Sequence, residues 1–313
     1  MTLACGIDVG GTKIAGGVVD EDGKVLEEMR VESPASDAAA IEEAIAGLVS
    51  ELRSRHDIET VGVGAAGYVD KARAVVLFAP NVAWRNEDLK GELEQRVGLP
   101  VVIENDANAA AWGEFRYGAA HDAQDLLLVT VGTGVGGGLV LDGEVYRGAN
   151  GVGAEIGHMR VVPNGILCGC GKHGCFEQYA SGSALVREAR ALALSGAMIA
   201  EGMLARAGGE LNRITGPLIT EAAQAGDAGA LQQLAELGRW LGEGIASLTE
   251  ILDPEVVVIG GGVSEADDLL LEPTRTAFAA QLVGRGFRPI PEIRKARLGN
   301  HAGLIGAADL SRR

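Results

Sequence analysis

Val9-Gly-Gly-Thr-Lys-Ile-Ala-Gly-Gly-Val-Val-Asp-Glu-Asp-Gly-Lys-Val25 decides the fold, because Val131-Gly-Thr-Gly-Val-Gly-Gly-Gly-Leu-Val-Leu-Asp-Gly-Glu-Val145 nearly repeats it, with two residues lost within. Each copy is a strand that empties into a glycine turn and leaves it as another strand. Asp22-Gly23 is a strong hairpin dipeptide, so strands over 3–9, 14–19 and 24–31 form a β-meander. A second meander is expected over 126–131, 135–141 and 144–146. Such internal self-similarity marks a duplicated unit.

Between the meanders, Asp37 can cap a helix to about His56, with Ile41, Ile45, Leu48, Val49 and Leu52 at helical spacing. Apolar runs at 60–65 and 101–104 read as buried strands, and Asn105-Asp106 opens a helix to Tyr117. Beyond residue 180 the chain reads as mostly helical, over 183–194, 197–225 and 228–252. The apolar strand 255–259 then empties into Gly260-Gly261-Gly262. A helix over 269–283, a strand around 290–296 and a last helix over 303–310 follow. Two duplicated α/β halves with facing glycine turns would enclose a cleft.

The 313 residues carry 43 Asp+Glu against 27 Lys+Arg, a formal charge of −16. That balance repels nucleic-acid backbones and anionic membranes. The densest basic stretch, Arg285 to Arg297, is broken by Pro289 and Pro291, which suits an edge strand better than a groove reader. The opening residues lack the pattern of a signal peptide, and no apolar run nears the roughly 20 residues of a membrane span. The expectation is a cytoplasmic protein without nucleic-acid or membrane partners. A phosphorylated ligand would then be held by backbone amides and a cation rather than by a bed of Arg and Lys.

Asp8-Val-Gly10-Gly11-Thr12-Lys13 suits that task. Its amides can hold phosphate oxygens while Asp8 orients a Mg²⁺ or its waters, although a plain hairpin with φ > 0 glycines would look the same. The copy Gly132-Thr133-Gly134 favours the phosphate reading, since two such turns can clamp one nucleotide. Lys13 leads into a strand, not a helix, which excludes a P-loop. Gly260-Gly261-Gly262 lies between strand and helix as in a dinucleotide fingerprint, yet Glu265 stands where a small residue belongs; its backbone can instead let a purine lie close.

Glu155-Ile-Gly-His158 precedes Cys168-Gly-Cys170-Gly-Lys-His-Gly-Cys175-Phe-Glu177. His158, Cys168, Cys170 and Cys175 make the Cys₃His set of a closed, structural Zn²⁺ site. Such a metal would fix the loop carrying Glu155, His158 and Glu177. Glu104-Asn105-Asp106-Ala-Asn108 joins a strand to a helix. Capping alone explains it; the functional reading puts Asn105 on a hydroxyl and Asp106 on its proton, as phosphoryl transfer needs.

Together these motifs, with Ala302-Gly-Leu-Ile-Gly-Ala-Ala308, resemble the ROK family of bacterial sugar kinases and repressors, most closely its ATP-dependent glucokinases. The resemblance spans nearly the whole chain. It implies an actin-like ATPase, hexokinase-type α/β fold of two domains around a cleft, divided as 1–107 plus 298–313 and 108–297. It implies Asp106 as general base, and Asn105, Asp106, Glu155, His158, Glu177, Gly67 and Asn81 as glucose contacts. ATP with Mg²⁺ would lie on Asp8, Gly10–Lys13, Gly132–Gly134 and, at the adenosine side, Gly260–Gly262. The absence of a helix-turn-helix segment before Asp8 fits an enzyme, and the family suggests a homodimer or tetramer; the 183–252 helices suit either its interface or ordinary core. Open alternatives are another hexose or an N-acetylhexosamine, polyphosphate as donor, or a non-catalytic sugar-sensing regulator.

Overall fold

A computed structural model describes residues 2–313. The chain divides into two compact units, the first made of Met1–Leu128, Gly137–Ala154 and Arg297–Arg313. Its strands β1 (Leu3–Val9), β2 (Lys13–Val19) and β3 (Val25–Glu32) form the expected antiparallel meander. Next come α1 (Ala38–Arg53) and β4 (Ile58–Ala65), then the short β5 (Tyr68–Val69), β6 (Val76–Phe78) and β7 (Arg85–Glu87). Helix α2 (Leu89–Val97), β8 (Val101–Asn105) and α3 (Asp106–Tyr117) complete this run. The main sheet has the order β3-β2-β1-β4-β8, with β4 parallel to β1 and β8 parallel to β4. The three short strands form a separate antiparallel sheet.

Helix α1 starts where the Asp37 carboxylate accepts the Ala40 N–H, and its predicted apolar stripe is buried in the core over the sheet. Each such aliphatic side chain removed from water contributes about 1.5–3 kcal/mol. Helix α2 and the three-stranded sheet were not expected from the periodicity. Strands of two or three residues carry no period to read.

The second meander is β9 (Leu126–Val131), β10 (Val135–Leu141) and β11 (Glu144–Val145). The second unit comprises Val129–Gly136 and Glu155–Ala296. It contains α4 (Glu177–Ala180), α5 (Gly182–Leu194), α6 (Glu201–Arg206), α7 (Gly216–Gln224), α8 (Ala228–Leu252), β12 (Val256–Gly260), α9 (Asp268–Gln281) and β13 (Glu292–Lys295). The second sheet has the order β11-β10-β9-β12-β13. A three-strand meander followed by two further strands is the order of the first sheet too, so the repeat seen in the sequence is a repeat of topology.

The last helix, α10 (Ala302–Leu310), belongs to the first unit. It lies so close to the sheet that a methyl group at Gly62 would overlap the Ala307 carbonyl, and one at Gly306 would overlap the Ala109 carbonyl of α3. That seating corrects the division expected from sequence. Helix α3 packs along α10, and the loop residue Gly151 packs on the backbone at Val69–Lys71, so α3 and residues 137–154 join the first unit rather than the second. Fully buried Glu114 of α3 accepts the backbone N–H groups of Ala119, Arg297 and Leu298, tying down the chain where it enters α10.

Asp309 of α10 makes the matching bond on the other side. Its buried carboxylate accepts from Trp112 Nε1 at 2.8 Å, Tyr117 Oη at 2.6 Å and Arg313 Nε at 3.0 Å. Burial alone would raise its pKa, but those donors and the Arg313 charge outweigh it and hold the carboxyl below the usual range. A depressed folded value stabilises the fold above the unfolded pKa of about 3.9, and the contribution fades as pH falls through the folded value. Asp309→Asn should therefore lower the unfolding free energy by about 2 kcal/mol at pH 7. In urea titrations the gap from wild type should narrow as pH falls below about 3.9; a gap that does not change with pH contradicts the assignment.

Candidate active site

In the first unit, β1 ends in Asp8 and turns through Gly10 to Lys13, where the Gly10 N–H bonds the Lys13 carbonyl at 3.0 Å. Neither Gly10 nor Gly11 takes a positive φ, so the hairpin reading does not explain them. What they supply is room. A Cβ on Gly11 would stand 3.2 Å from Asn81 Cβ, which places the turn directly against the Ala79–Trp84 loop. Thr12 and Lys13 are exposed beside it. Burial raises the Asp8 carboxyl above its ordinary pKa, and Gly303 at the start of α10 lies against it.

The Asn105-Asp106 turn is built from below. Glu104 is 2% exposed, and its Oε1 accepts the Asn105 N–H and the Asn108 side-chain amide, both at 3.1 Å. Its Oε2 receives Arg147 at 2.7 Å and lies 3.5 Å from Arg73. A carboxylate taken out of water needs this degree of pairing. Asn105 caps α3 through Asn108 N–H, as the bland reading requires, yet its Nδ2 also donates to Asp106 Oδ1 at 3.1 Å and to the Gly67 carbonyl at 3.0 Å. A side chain at Gly67 would overlap the Phe78–Ala79 backbone, so the loop leading to Asn81 lies there too. Asp8, Gly10–Lys13, Gly67, Asn81, Asn105 and Asp106 thus stand on one unit. Arg73 and Arg147 went unread in the sequence, because no local spacing ties them to Glu104.

In the second unit, the Gly132 N–H bonds the Gly134 carbonyl at 3.0 Å, much as Gly10 does in the first turn. The Gly182 N–H at the start of α5 reaches the Gly132 carbonyl at 2.8 Å. Gly261, at φ 83°, seats the Gly260–Gly262 turn on the end of β9, where a side chain would overlap the backbone of Val131. Gly132, Thr133 and Gly262 line a cavity of about 1170 Å³ whose far walls include Ser183, Thr220 and Gln224. That volume lies just above the range usual for small-molecule sites. Its helical walls were not read from the sequence; the Thr215-Gly-Pro217 start of α7 marked a helix but not what it faces.

His158, Cys168, Cys170 and Cys175 converge, with ligand atoms all within 4.8 Å of one another and no disulfide among the cysteines. Cys170 Sγ to Cys175 Sγ is 3.6 Å and Cys168 Sγ to His158 Nδ1 is 3.7 Å. A zinc tetrahedron with bonds of about 2.3 Å has edges of about 3.8 Å, so the residues fit that ion. Glu177 sits between this cluster and the second turn: Oε1 is 2.9 Å from Cys168 Sγ, and Oε2 is 2.7 Å from where a Gly134 Cβ would be. Glu155 stands just before His158, whose N–H donates to the Glu155 carbonyl. Burial holds its carboxyl above the ordinary range; His158 partly offsets this and Glu177 adds to it.

These arrangements have close counterparts. A glucokinase of Streptomyces coelicolor is 49% identical over 312 residues, covering all of this chain and 98% of that one. A glucokinase of Halalkalibacterium halodurans is 39% identical over 96% of this chain and 92% of its own. A solved ROK family glucokinase from Streptomyces griseus, in complex with glucose and AMPPNP, superposes with a TM-score of 0.90 at 51% identity over 99% of both chains. The architecture is the actin-like ATPase, hexokinase-type fold. The ROK family model matches residues 4–313, and the chain belongs to the ROK family.

Proposed function

We propose that this protein is an ATP-dependent glucokinase that transfers the γ-phosphoryl group of ATP to the 6-hydroxyl of D-glucose. The full-length similarity to Streptomyces glucokinases supports the sugar and the donor. The observation that carries the catalytic assignment is the Asn105 Nδ2 bond to Asp106 Oδ1, which holds a carboxylate in one orientation at the start of α3. In the reaction, Asp106 takes the proton of the sugar 6-hydroxyl as its oxygen bonds to phosphorus and the bond to the ADP oxygen breaks. Asn105, Gly67, Asn81, Glu155, His158 and Glu177 hold the other hydroxyls. A wrong epimer leaves one of these groups unpaired beneath the bound sugar, at about 1–3 kcal/mol.

The turns at Gly10–Lys13 and Gly132–Gly134 supply amide N–H groups to the phosphates, and the cavity behind Gly262 accepts the nucleoside. Asp8, a half-buried carboxylate near the end of β1, is the group that would hold Mg²⁺, which when bound offsets charge on the transferred phosphoryl group. His158, Cys168, Cys170 and Cys175 would hold one Zn²⁺, which when bound fixes the loop but offers no open position for chemistry. Among the described residues no helix is long and apolar enough to cross a membrane. A cytoplasmic enzyme accords with the reduced cysteine cluster, and assembly as a homodimer or homotetramer follows the family resemblance.

Three measurements test this reading. Wild-type protein should release ADP with glucose in a coupled assay, and faster than with mannose, N-acetylmannosamine or with polyphosphate as donor; a different preferred sugar or donor replaces the substrate assignment. Asp106→Asn should keep glucose affinity within about threefold while kcat falls about 10²–10⁴-fold. Near-normal turnover removes Asp106 as base. Metal analysis should give about one zinc per chain in wild type and far less in Cys170→Ser, whose KM for glucose should rise while KM for ATP holds. A zinc-depleted variant with unchanged glucose KM would separate the loop from the sugar.

A further inference from the structure

The loop Ala79–Trp84 joins β6 to β7 and is held by one side chain that no motif singled out. Arg85 Nη1 donates to three carbonyls of that loop, those of Ala79 at 2.6 Å, Val82 at 3.0 Å and Trp84 at 2.6 Å. Its guanidinium carbon lies 4.3 Å from the centroid of the Phe78 ring, the residue paired with Arg85 across the hairpin. Phe78 in turn meets Tyr68 at 6.2 Å between ring centroids. Among the described residues, one backbone bond outside the strand pairing, Ala79 N–H to the Trp84 carbonyl at 3.3 Å, also closes the loop.

The loop's contents give this clamp a purpose. Val82 and Trp84 are buried in the core, while Asn81 at the tip is exposed. The loop lies between two other pieces of the site, with Asn81 against Gly11 of the phosphate turn and Ala79 against Gly67, whose carbonyl receives Asn105 Nδ2. A shift of the Ala79–Trp84 backbone therefore moves Asn81 relative to these two neighbours. The guanidinium suits the work because it is always charged, presents donors from a rigid plane, and offers a flat face to an aromatic ring. Carbonyls that converge within a few ångströms repel one another, and a shared cation removes that repulsion.

We propose that Arg85 is a positioning residue for the sugar. It gathers the Ala79, Val82 and Trp84 carbonyls so that Asn81 is held in place beside Gly11 and Gly67 before substrate arrives. The inference rests on the reading of Asn81 as a sugar contact. Arg85 is itself exposed, so its replacement opens no cavity in the core. Its effect should fall on sugar affinity rather than on nucleotide affinity or stability.

Arg85→Ala and Arg85→Lys, made in the full-length protein, test the proposal by steady-state kinetics, thermal melting and hydrogen exchange over residues 79–84. Arg85→Ala should raise KM for glucose about tenfold with KM for ATP and kcat within about twofold, move the melting temperature by less than about 3 °C, and speed amide exchange in the loop several-fold. Arg85→Lys restores a charge and three donors but not the flat face, and should recover part of both effects. Unchanged loop exchange overturns the clamp, whichever sugar is used. Faster exchange with unchanged glucose KM overturns the link to the sugar, as does an equal rise in both KM values or a melting temperature that falls in step with activity. Absence of glucose-dependent ADP release from wild type would instead count against the glucokinase reading, and loop exchange would still decide the clamp.

Discussion

Helix α10 can approach the first sheet only as a backbone, because the positions beneath it have no side chains. Gly6, Gly62, Gly113 and Gly306 lie where Cβ atoms would meet its carbonyls or those of α3. The contact joins the end of the chain to its beginning and holds α3 between them. The N-terminus of α3 carries Asp106, so the direction of that carboxylate depends on a packing that extends to residue 310. Glu114 and Asp309 reinforce the contact with hydrogen bonds, and Glu104 settles the other end of α3 with a buried ion pair. A carboxylate on a helix end fixed from three sides loses little orientation to thermal motion, which suits the proton acceptor proposed for an in-line transfer.

The acidity of the chain acquires a structural account at several points. Glu104, Glu114 and Asp309 are buried and each is satisfied, by arginines, by backbone N–H groups or by aromatic donors. Glu155 and Asp8 differ, since burial leaves their carboxyls raised rather than offset. A fold that spends its donors on structural carboxylates and leaves others under-compensated is one whose remaining groups suit a ligand. Nothing comparable is seen at the basic stretch after α9. There Arg294 and Lys295 pair with Glu292, Glu265 and Asp267, so the positive charge is already matched within the unit.

Much of this was legible in the sequence because the signals were local. The duplicated glycine turns, the capped helix from Asp37, the Cys₃His spacing and the Asn105-Asp106 turn each lie within about twenty residues, and each emerged in the structure. Helix α2 was also written locally, with Asp88 at its start and Gly98 in the left-handed conformation at its end, but a polar nine-residue helix offers only Leu89 and Leu93 as a buried stripe. The domain boundary and the partners of Glu104 were not legible. They are set by contacts such as Arg147 with Glu104 and Gly306 with Ala109, between residues that are far apart in the chain. The wider 197–225 helical stretch broke into α6, α7 and short 3₁₀ turns because Gly208, Gly209 and Gly216-Pro217 interrupt it.

Glu177 binds the remaining parts of the second unit together. One of its oxygens faces Cys168 and, at 3.7 Å, His158 Nδ1; the other packs on Gly134. The cysteine loop and the glycine turn therefore share a carboxylate, and a side chain at position 134 would displace it. That placement also sets a condition on the turn. An anion approaching the amides of Gly132–Gly134 meets a negative charge next to them, and at such range repulsion of several kcal/mol arises at an effective dielectric near 20. A bare phosphate is poorly served there, whereas one whose charge a divalent cation has reduced is not. The glycine turn therefore suits a phosphate that arrives with a cation, as the proposed nucleotide would.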